Sequence, residues 1–287
     1  MHDTVVAFCP GHISGYFKKV EGSTLLTTGS QGAGMVITKG VTATVRHADT
    51  PTIIIRYRAG KHTTTTLSQV SPPLSSIMER LGVTASVTTV CDLPIGAGFG
   101  LSAAALLATA TAINRLFSLG LSPRDIARHA HEIEVEQRTG LGDVAAARGG
   151  GRVIRHGPGI DARIDRIFDL PESVYAVSFG PIHTPSVLGS PAQMHQVSSA
   201  FPLRVPADAR EFFTLSKQFA ERSGLITEPV KNVFRACEEC DVMAGMTMLG
   251  NGVFAYGTNA REVLAHFGEV HEFRISPSGP EILEVTS

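Results

Sequence analysis

The stretch from Pro94 to Ala105 holds residues whose types and spacing suit the binding of a phosphorylated ligand. Its sequence is PIGAGFGLSAAA, in which Gly96, Gly98 and Gly100 alternate with larger residues. Glycines let a backbone approach a ligand closely. The helix predicted to begin after them presents amides that lack intrahelical partners. With the positive end of the helix dipole, those amides favour an anion, most often a phosphate, and Ser102 adds a hydroxyl for a phosphate oxygen or a Mg²⁺ ion.

A flexible turn followed by a capped helix would explain the same residues without any ligand. Two common phosphate loops do not fit. No Lys precedes Ser102, as a Walker-type loop requires, and Leu101 stands where G-x-G-x-x-G needs its third glycine. The pattern P-x-x-x-G-x-G-x-S-A-A is more specific than either. It resembles the phosphate loop of a kinase family, and the resemblance implies these residues as the candidate nucleotide contacts: Pro94, Gly96, Ala97, Gly98, Phe99, Gly100, Leu101, Ser102 and Ala103.

Acidic side chains lie on and after a later helix, where they could hold a metal ion or act on a hydroxyl group. Glu132 and Glu136 share one helix face, whereas Glu134 points elsewhere. Asp143 follows the small residues 139–142, where a carboxylate can approach a substrate. Mg²⁺ accepts one hydroxyl and one carboxylate from a protein, and a second carboxylate can orient or deprotonate an alcohol. A solvated helix face and a helix cap are the alternative interpretations of these acids.

The composition limits the classes of protein that the chain can belong to. Of its 287 residues, 43% are apolar and 18% charged, and the net charge is −1, which is typical of a soluble globular protein of one large or two ordinary domains. No basic stripe predicts nucleic-acid binding. The longest apolar run, 101–113, is too short to span a membrane, and the N-terminal residues do not resemble a signal peptide. We therefore expect a cytoplasmic protein with no nucleic-acid or membrane partner. Cys237-x-x-Cys240 has no second pair, so reduced thiols are expected.

The pattern of apolar residues, glycines and prolines predicts an α+β order of elements. A strand over 4–9 is expected to end at Pro10-Gly11, and Gly29–Gly34 is expected to be a second glycine-rich loop. The segment 181–206 carries too weak a pattern for an assignment. The other expected strands are 35–38, 41–46, 53–57, 85–90, 152–156, 175–179, 252–256, 270–275 and 281–285; the expected helices are 72–82, 101–116, 122–138 with Ser122 as its cap, 207–223, 229–248 and one begun by an Asn259/Glu262 capping box.

The loop resembles the ATP loop of the GHMP small-molecule kinases, which usually reads P-x-x-x-G-L-G-S-S-A. Phe99 stands for the Leu and Leu101 for the first Ser, whereas Ser102 matches the Ser that the family uses on the β-phosphate and Mg²⁺. The stretch Gly-x-Gly-Asp-Val-Ala-Ala-Ala around Asp143 resembles the one that carries the family's catalytic base. The resemblance thus implies Asp143, Ser102 and Glu134 as catalytic residues, with Ser102 and Glu134 as metal ligands and Glu132 as the reserve.

Residues 10–17, 139–144 and 248–251 further resemble the archaeal pantoate kinases, one branch of this family. The resemblance implies the two-domain GHMP fold, with a ribosomal-protein-S5-like domain over 1–165 and an α/β-plait-like domain over 166–287. It implies ATP and Mg²⁺, phosphorylation of pantoate to 4-phosphopantoate in coenzyme A biosynthesis, and a homodimer. Ser30, His131 and Arg155 are the candidates for binding the pantoate carboxylate. A kinase for a homoserine- or mevalonate-like alcohol, or a non-catalytic nucleotide-binding homologue, remains an alternative.

Overall fold

The computed structural model describes residues 3–60 and 63–286, which form two β-sheets and their covering helices. The strands are β1 (Thr4–Val20), β2 (Gly29–His47), β3 (Thr52–Ala59), β4 (Thr63–Ser68), β5 (Ala85–Cys91), β6 (Arg152–Arg155), β7 (Ile164–Ile167), β8 (Val174–Pro181), β9 (Met243–Met246), β10 (Gly250–Tyr256), β11 (His271–Phe273) and β12 (Glu281–Thr286). The helices are α1 (Pro72–Arg80), α2 (Leu101–Leu116), α3 (Pro123–Glu136), α4 (Asp143–Ala147), α5 (Thr184–Leu188), α6 (Pro191–Ser199), α7 (Ala209–Arg222), α8 (Glu228–Glu239) and α9 (Ala260–Ala265). The α+β class predicted from the sequence is confirmed.

The first sheet has the strand order β12-β1-β2-β5-β3-β4, with β6 and β7 continuing from the first half of β2. Strand β1 does not end at Pro10-Gly11 as predicted, because the register with β2 shifts there and the two strands then pair on to Val20. The expected loop Gly29–Gly34 was also wrong, since it belongs to β2. A side chain at Gly32 would clash with the carbonyl of Tyr16, so a glycine here lets β1 and β2 approach closely.

The second sheet is antiparallel, with the order β11-β8-β10-β9, and α7, α8 and α9 pack against it. Helix α8 ends at Glu239, well before the predicted 248, because Asp241 takes a left-handed conformation (φ 54°) and the chain turns into β9. The capping box expected at Asn259 is absent, since its side chain makes no cap hydrogen bond. Helices α5 and α6 occupy the segment for which no structure was predicted.

Two helices predicted from the sequence, α2 and α3, carry the phosphate loop's Ser102 and the candidate metal ligand Glu134. Helix α2 is buried along most of its length and packs on β1 and β2 of the first sheet. Helix α3 begins with the expected capping box between Ser122 and Asp125 and packs against α2. The short α4 follows in the next turn of chain and also contacts α2. This packing places the start of α2, the end of α3 and the start of α4 on one side of the first sheet.

None of the helices in 3–60 and 63–286 combines the length and apolar character that crossing a membrane requires.

Candidate active site

A cavity of about 490 Å³ lies between the two sheets, at the N-terminus of α2. It is lined from the first half of the chain by the loop before α2, the end of α3 and the start of α4, and from the second half by the end of β8 and the turn before β10. The lining residues are Ser14, Phe17, Ser30, Ile95, Gly96, Gly98, Phe99, Gly100, Leu101, Ser102, Ala103, Glu134, Thr139, Leu141, Gly142, Asp143, Pro181, Ile182, His183, Thr184, Pro185, Met248 and Leu249.

The start of α2 is shaped as an anion site. Gly100 is the N-cap residue in a left-handed conformation (φ 62°), and no side chain caps the helix. The first intrahelical hydrogen bond runs from the amide of Ala104 to the carbonyl of Gly100 at 3.1 Å. The three preceding amides of the helix lack intrahelical acceptors, and their residues, Leu101 to Ala103, all line the cavity. An anion in the cavity would therefore meet several amides and the Ser102 hydroxyl together.

The second half of the chain holds the glycine-rich loop in place. The amide of Ile182 donates to the carbonyl of Gly96 at 3.2 Å. A side chain at Gly98 would lie 2.9 Å from the carbonyl oxygen of Met248, and one at Gly250 would clash with the backbone of Ala97. Gly98 also has a φ of 82°, which side chains rarely adopt. Gly98 and Gly250 are thus glycines because the two halves of the chain touch at this loop.

Glu134 and Asp143 bring two carboxylates to the same wall of the cavity. Glu134 is 1% exposed, and one of its oxygens, Oε2, accepts from the amide of Val144 at 3.4 Å. Its other oxygen, Oε1, is buried without a hydrogen-bond partner. Burial, and next the charge of Asp143, raise the pKa of Glu134 well above its usual range. A side chain at Gly140 would meet the carboxyl group of Glu134, so the glycine leaves space for that group.

Asp143 is the first residue of α4, and its side chain is 22% exposed, toward the cavity. Burial alone would raise the pKa of Asp143, but the hydrogen bond from His12 and the charge of Arg155 lower it overall. The Oδ1 atom of Asp143 lies 2.7 Å from Nδ1 of His12. Asp143 is therefore an ionised carboxylate that faces the cavity beside a carboxyl group of raised pKa.

The other two acids of α3 lie outside the site. Glu132 and Glu136 both bind the guanidinium of Arg80 on α1, each at 2.7 Å, on the exterior of the molecule. Among the three glutamates of the helix, only Glu134 lines the cavity. The structure thus places the first choice among the predicted metal ligands at the site and the reserve away from it.

The three candidates for the acceptor carboxylate lie at different depths. Ser30 lines the cavity directly. Arg155 is 3% exposed behind it and donates through its NH2 group to the Ser30 hydroxyl at 3.5 Å. The Nε atom of Arg155 has no partner and lies against Gly142, which lines the cavity. His131 is buried elsewhere, with Nε2 at 2.9 Å from the carbonyl of Thr28, and does not line the cavity.

Within the loop, Gly96, Gly98, Phe99, Gly100, Leu101, Ser102 and Ala103 line the cavity, whereas Pro94 and Ala97 do not. His12 is the residue of this site to which sequence reasoning gave no role. Its imidazole is fully buried between Asp143 and Arg155. The sequence signal that could have pointed to His12 was its position in the segment 10–17, one of the three stretches that resemble a known family.

The donor set fits a hard divalent cation. Ser102 offers a hydroxyl, and Glu134 offers an oxygen, Oε1, that is buried without a partner and would be costly to leave so. Both line the same cavity. Mg²⁺ needs few protein ligands because it keeps several waters. The residues described contain no group of three or more His, Cys, Asp or Glu side chains suited to a metal.

Comparisons with known proteins agree with this geometry. Residues 72–151 match the model of the GHMP kinases N terminal domain. The chain is 46% identical over 279 residues to the pantoate kinase of Methanospirillum hungatei, covering 97% of this chain and 96% of the relative. It is 30% identical to the pantoate kinase of Methanocaldococcus jannaschii, covering 86% and 90%. Among solved structures, a phosphotransferase related to the coenzyme A biosynthesis pathway superposes with a TM-score of 0.81 at 25% identity, covering 97% and 98%.

Proposed function

The chain belongs to the pantoate kinase family, and we propose that it transfers the γ-phosphoryl group of ATP to pantoate, giving 4-phosphopantoate for coenzyme A biosynthesis in an archaeon. Its GHMP kinase fold and its nature as a small-molecule kinase follow from that membership. The substrate is supported by the two relatives that carry this name and align over most of the chain.

The donor binds at the start of α2. The amides of Leu101 to Ala103 and the Ser102 hydroxyl surround the phosphates, and the helix dipole adds to the attraction. Ser102 and Glu134 would hold Mg²⁺, because they offer a hydroxyl and an unsatisfied carboxylate oxygen in one cavity. When bound, Mg²⁺ neutralises phosphate charge as the phosphoryl group is transferred.

The acceptor hydroxyl binds at Asp143. The hydroxyl oxygen forms a new bond to the γ-phosphorus while the bond from phosphorus to the β,γ-bridging oxygen breaks, and ADP leaves with that electron pair. The hydroxyl proton passes to the Asp143 carboxylate, which the surroundings keep ionised. Most of the catalytic effect then comes from positioning and charge, as is usual for phosphoryl transfer.

The pantoate carboxylate binds at Ser30, with Arg155 behind it. The unpaired Nε donor of Arg155 and its positive charge favour an anion on this side of the cavity. His131 contributes indirectly, because it holds the carbonyl of Thr28, two residues before Ser30. The acceptor carboxylate thus lies on the side of the cavity that Ser30 and Gly142 line.

The observation that carries the proposal is that Ser102, Glu134 and Asp143, from three different helices, line one cavity. We further propose a division into domains 1–165 and 166–287. Strand β12, from the second range, pairs with β1 in the sheet of the first domain. A homodimer is proposed as well, because exposed apolar side chains such as Phe168 and Leu203 offer surface for a second copy.

A panel of acceptors tests the function. ADP release from ATP and Mg²⁺ is measured with pantoate, homoserine, mevalonate and no acceptor, and the phosphorylated product is identified by mass spectrometry. We expect turnover with pantoate alone. Turnover with another alcohol instead of pantoate would identify that alcohol as the substrate. Tight ATP binding without any turnover would support a non-catalytic protein.

Ser102→Ala tests the donor side of the same proposal. Loss of the hydroxyl is expected to lower kcat by roughly 100-fold, since one group that contacts the transferring phosphate is removed, while the thermal unfolding temperature changes little. Ser178→Ala, at a serine that does not line the cavity, is the control. A kcat within threefold of the wild-type value in Ser102→Ala would exclude a role for this hydroxyl.

A further inference from the structure

A buried line of hydrogen bonds connects Arg155, His12 and Asp143. NH1 of Arg155 lies 3.2 Å from Nε2 of His12, and Nδ1 of His12 lies 2.7 Å from Oδ1 of Asp143. His12 is 0% exposed and Arg155 3% exposed. A side chain at Gly34, on the neighbouring strand, would clash with the His12 ring. The strand pairing therefore leaves a space that the imidazole fills.

The chemistry of the two partners determines where the ring proton lies. A guanidinium has only donors, so Nε2 of His12 has to accept from Arg155. A neutral imidazole with an accepting Nε2 carries its proton on Nδ1, and that N–H donates to the Asp143 carboxylate. The direction of both hydrogen bonds is thereby fixed, and neither ring nitrogen of His12 is free to take a proton from a substrate.

We propose that His12 is a positioning residue for the reaction: its Nδ1–H tautomer, fixed by Arg155, holds Oδ1 of Asp143 so that Oδ2 faces the acceptor hydroxyl. The cavity gives this contact its importance, because Asp143 shares its wall with Glu134, a second carboxylate. Without a donor on Oδ1, Asp143 could rotate or share a proton with that neighbour. The backbone of His12 also donates to the carbonyl of Phe99 at 3.0 Å, which links the acceptor side to the phosphate loop.

The inference rests on the proposed function only for its kinetic test, so a first measurement avoids substrates. The protein is labelled with ¹⁵N at the ring nitrogens of its 11 histidines, and the His12 signals are identified by their loss in His12→Asn. At neutral pH we expect the Nδ1–H tautomer in the ligand-free protein. An Nε2–H tautomer or an imidazolium at His12 would overturn the proposal, whatever the acceptor is.

A pair of nearly isosteric variants then tests positioning against structure. His12→Asn places an amide N–H near the former Nδ1 and keeps a donor to Asp143, whereas His12→Leu removes the donor. We expect kcat to fall on the order of 10- to 100-fold in His12→Leu, and to stay within about fivefold of wild type in His12→Asn. The KM for ATP should change little in both, since the ring does not line the cavity.

Equal losses of kcat in the two variants would overturn the proposal, as would a wild-type kcat in His12→Leu. If His12→Leu fails to fold, His12→Gln replaces it, because its amide reaches the former Nε2 position and leaves Oδ1 without a donor. A wild-type protein that phosphorylates no pantoate would refute the proposed function, while the tautomer measurement would still test the inference.

Discussion

Helix α3 and its neighbours carry two charge networks of similar residues, one inside the molecule and one outside. We call the first the interior network: Glu134, Asp143, His12 and Arg155. The second is the exterior network: Arg124 and Arg128 with Asp161, and Arg80 with Glu132 and Glu136. In the exterior network every carboxylate binds an arginine. In the interior one, two carboxylates share one arginine and a neutral histidine.

The difference shows where chemistry is possible on this helix. Asp161 is bound by two guanidinium groups, and its pKa falls to about 2 because of hydrogen bonds from Arg124 and Arg128. The pKa of Glu134 moves the other way, through burial and the charge of Asp143. An unbalanced negative charge in a closed site binds a cation or a proton, whereas a balanced exterior pair contributes little beyond local stability.

The largest expected effect is at Asp143. Asp143→Asn keeps the size of the side chain but removes the charge and the proton acceptor, so kcat should fall on the order of 1000-fold. The circular dichroism spectrum and unfolding temperature should remain close to wild type. A kcat of more than a tenth of the wild-type value would show that the interior network does not act as a base.

Glu134→Gln sharpens the comparison because it affects activity and stability in opposite directions. We expect kcat to fall roughly 100-fold and the Mg²⁺ concentration at half-maximal rate to rise. Without metal or nucleotide, the variant should unfold at a higher temperature than wild type, since the cost of burying this carboxyl group, and next its contact with the charge of Asp143, is removed. Glu136→Gln on the same helix is the matched control and should change neither property appreciably.

The pH dependence of that stability gain follows from the sign of the shift. The folded-state pKa of Glu134 is raised, so as pH rises above the unfolded value of about 4.3 the unfolded chain loses this proton first and stability falls. The advantage of Glu134→Gln should therefore be small near pH 4 and larger at pH 7, as calorimetry of both proteins can show. An advantage that shrinks over this range would contradict the raised pKa.

The smallest effect is expected in the exterior network. Asp161→Asn removes a carboxylate whose folded-state pKa is lowered, so its contribution is present above about pH 4 and is lost as the pH falls toward 2. Because the side chain is 38% exposed, solvent screening should limit the loss to less than about 1 kcal/mol at pH 7. Urea denaturation at pH 7 should show this loss, and 1 M salt should reduce it. A larger, salt-insensitive loss would mean that the two networks differ less than their burial suggests.

The helices and the acidic part of the site were predictable because their local patterns are strong. The Ser122/Asp125 capping box and the glycines before α2 specify where α3 and α2 begin, and helical spacing separates Glu134 from its two neighbours. The glycines of β2 misled the prediction, because their purpose is to make room for Tyr16 and His12 on the neighbouring strand. Contacts between distant segments leave no local pattern.

The same limit explains the site residues that sequence reasoning missed or could not place in the fold. His12 meets Asp143 from a position 131 residues away in the chain, so no spacing rule connects them. Arg155 and His131 are types that suit a carboxylate, yet only the fold shows that one lies behind Ser30 and the other against the carbonyl of Thr28. The turn before β10, which supports the phosphate loop, likewise depends on packing between the two halves.

The pairing of β1 with β12 has a consequence for how the protein is made. Thr4 lies opposite Thr286 in that pairing, so a ribosome exposes β1 long before residues 281–286 emerge. During translation the outer edge of β1 carries unpaired backbone groups that can join strands of other chains. Contacts so far apart in sequence also form slowly. Synthesis at reduced temperature, or with chaperones present, should therefore increase the yield of native enzyme.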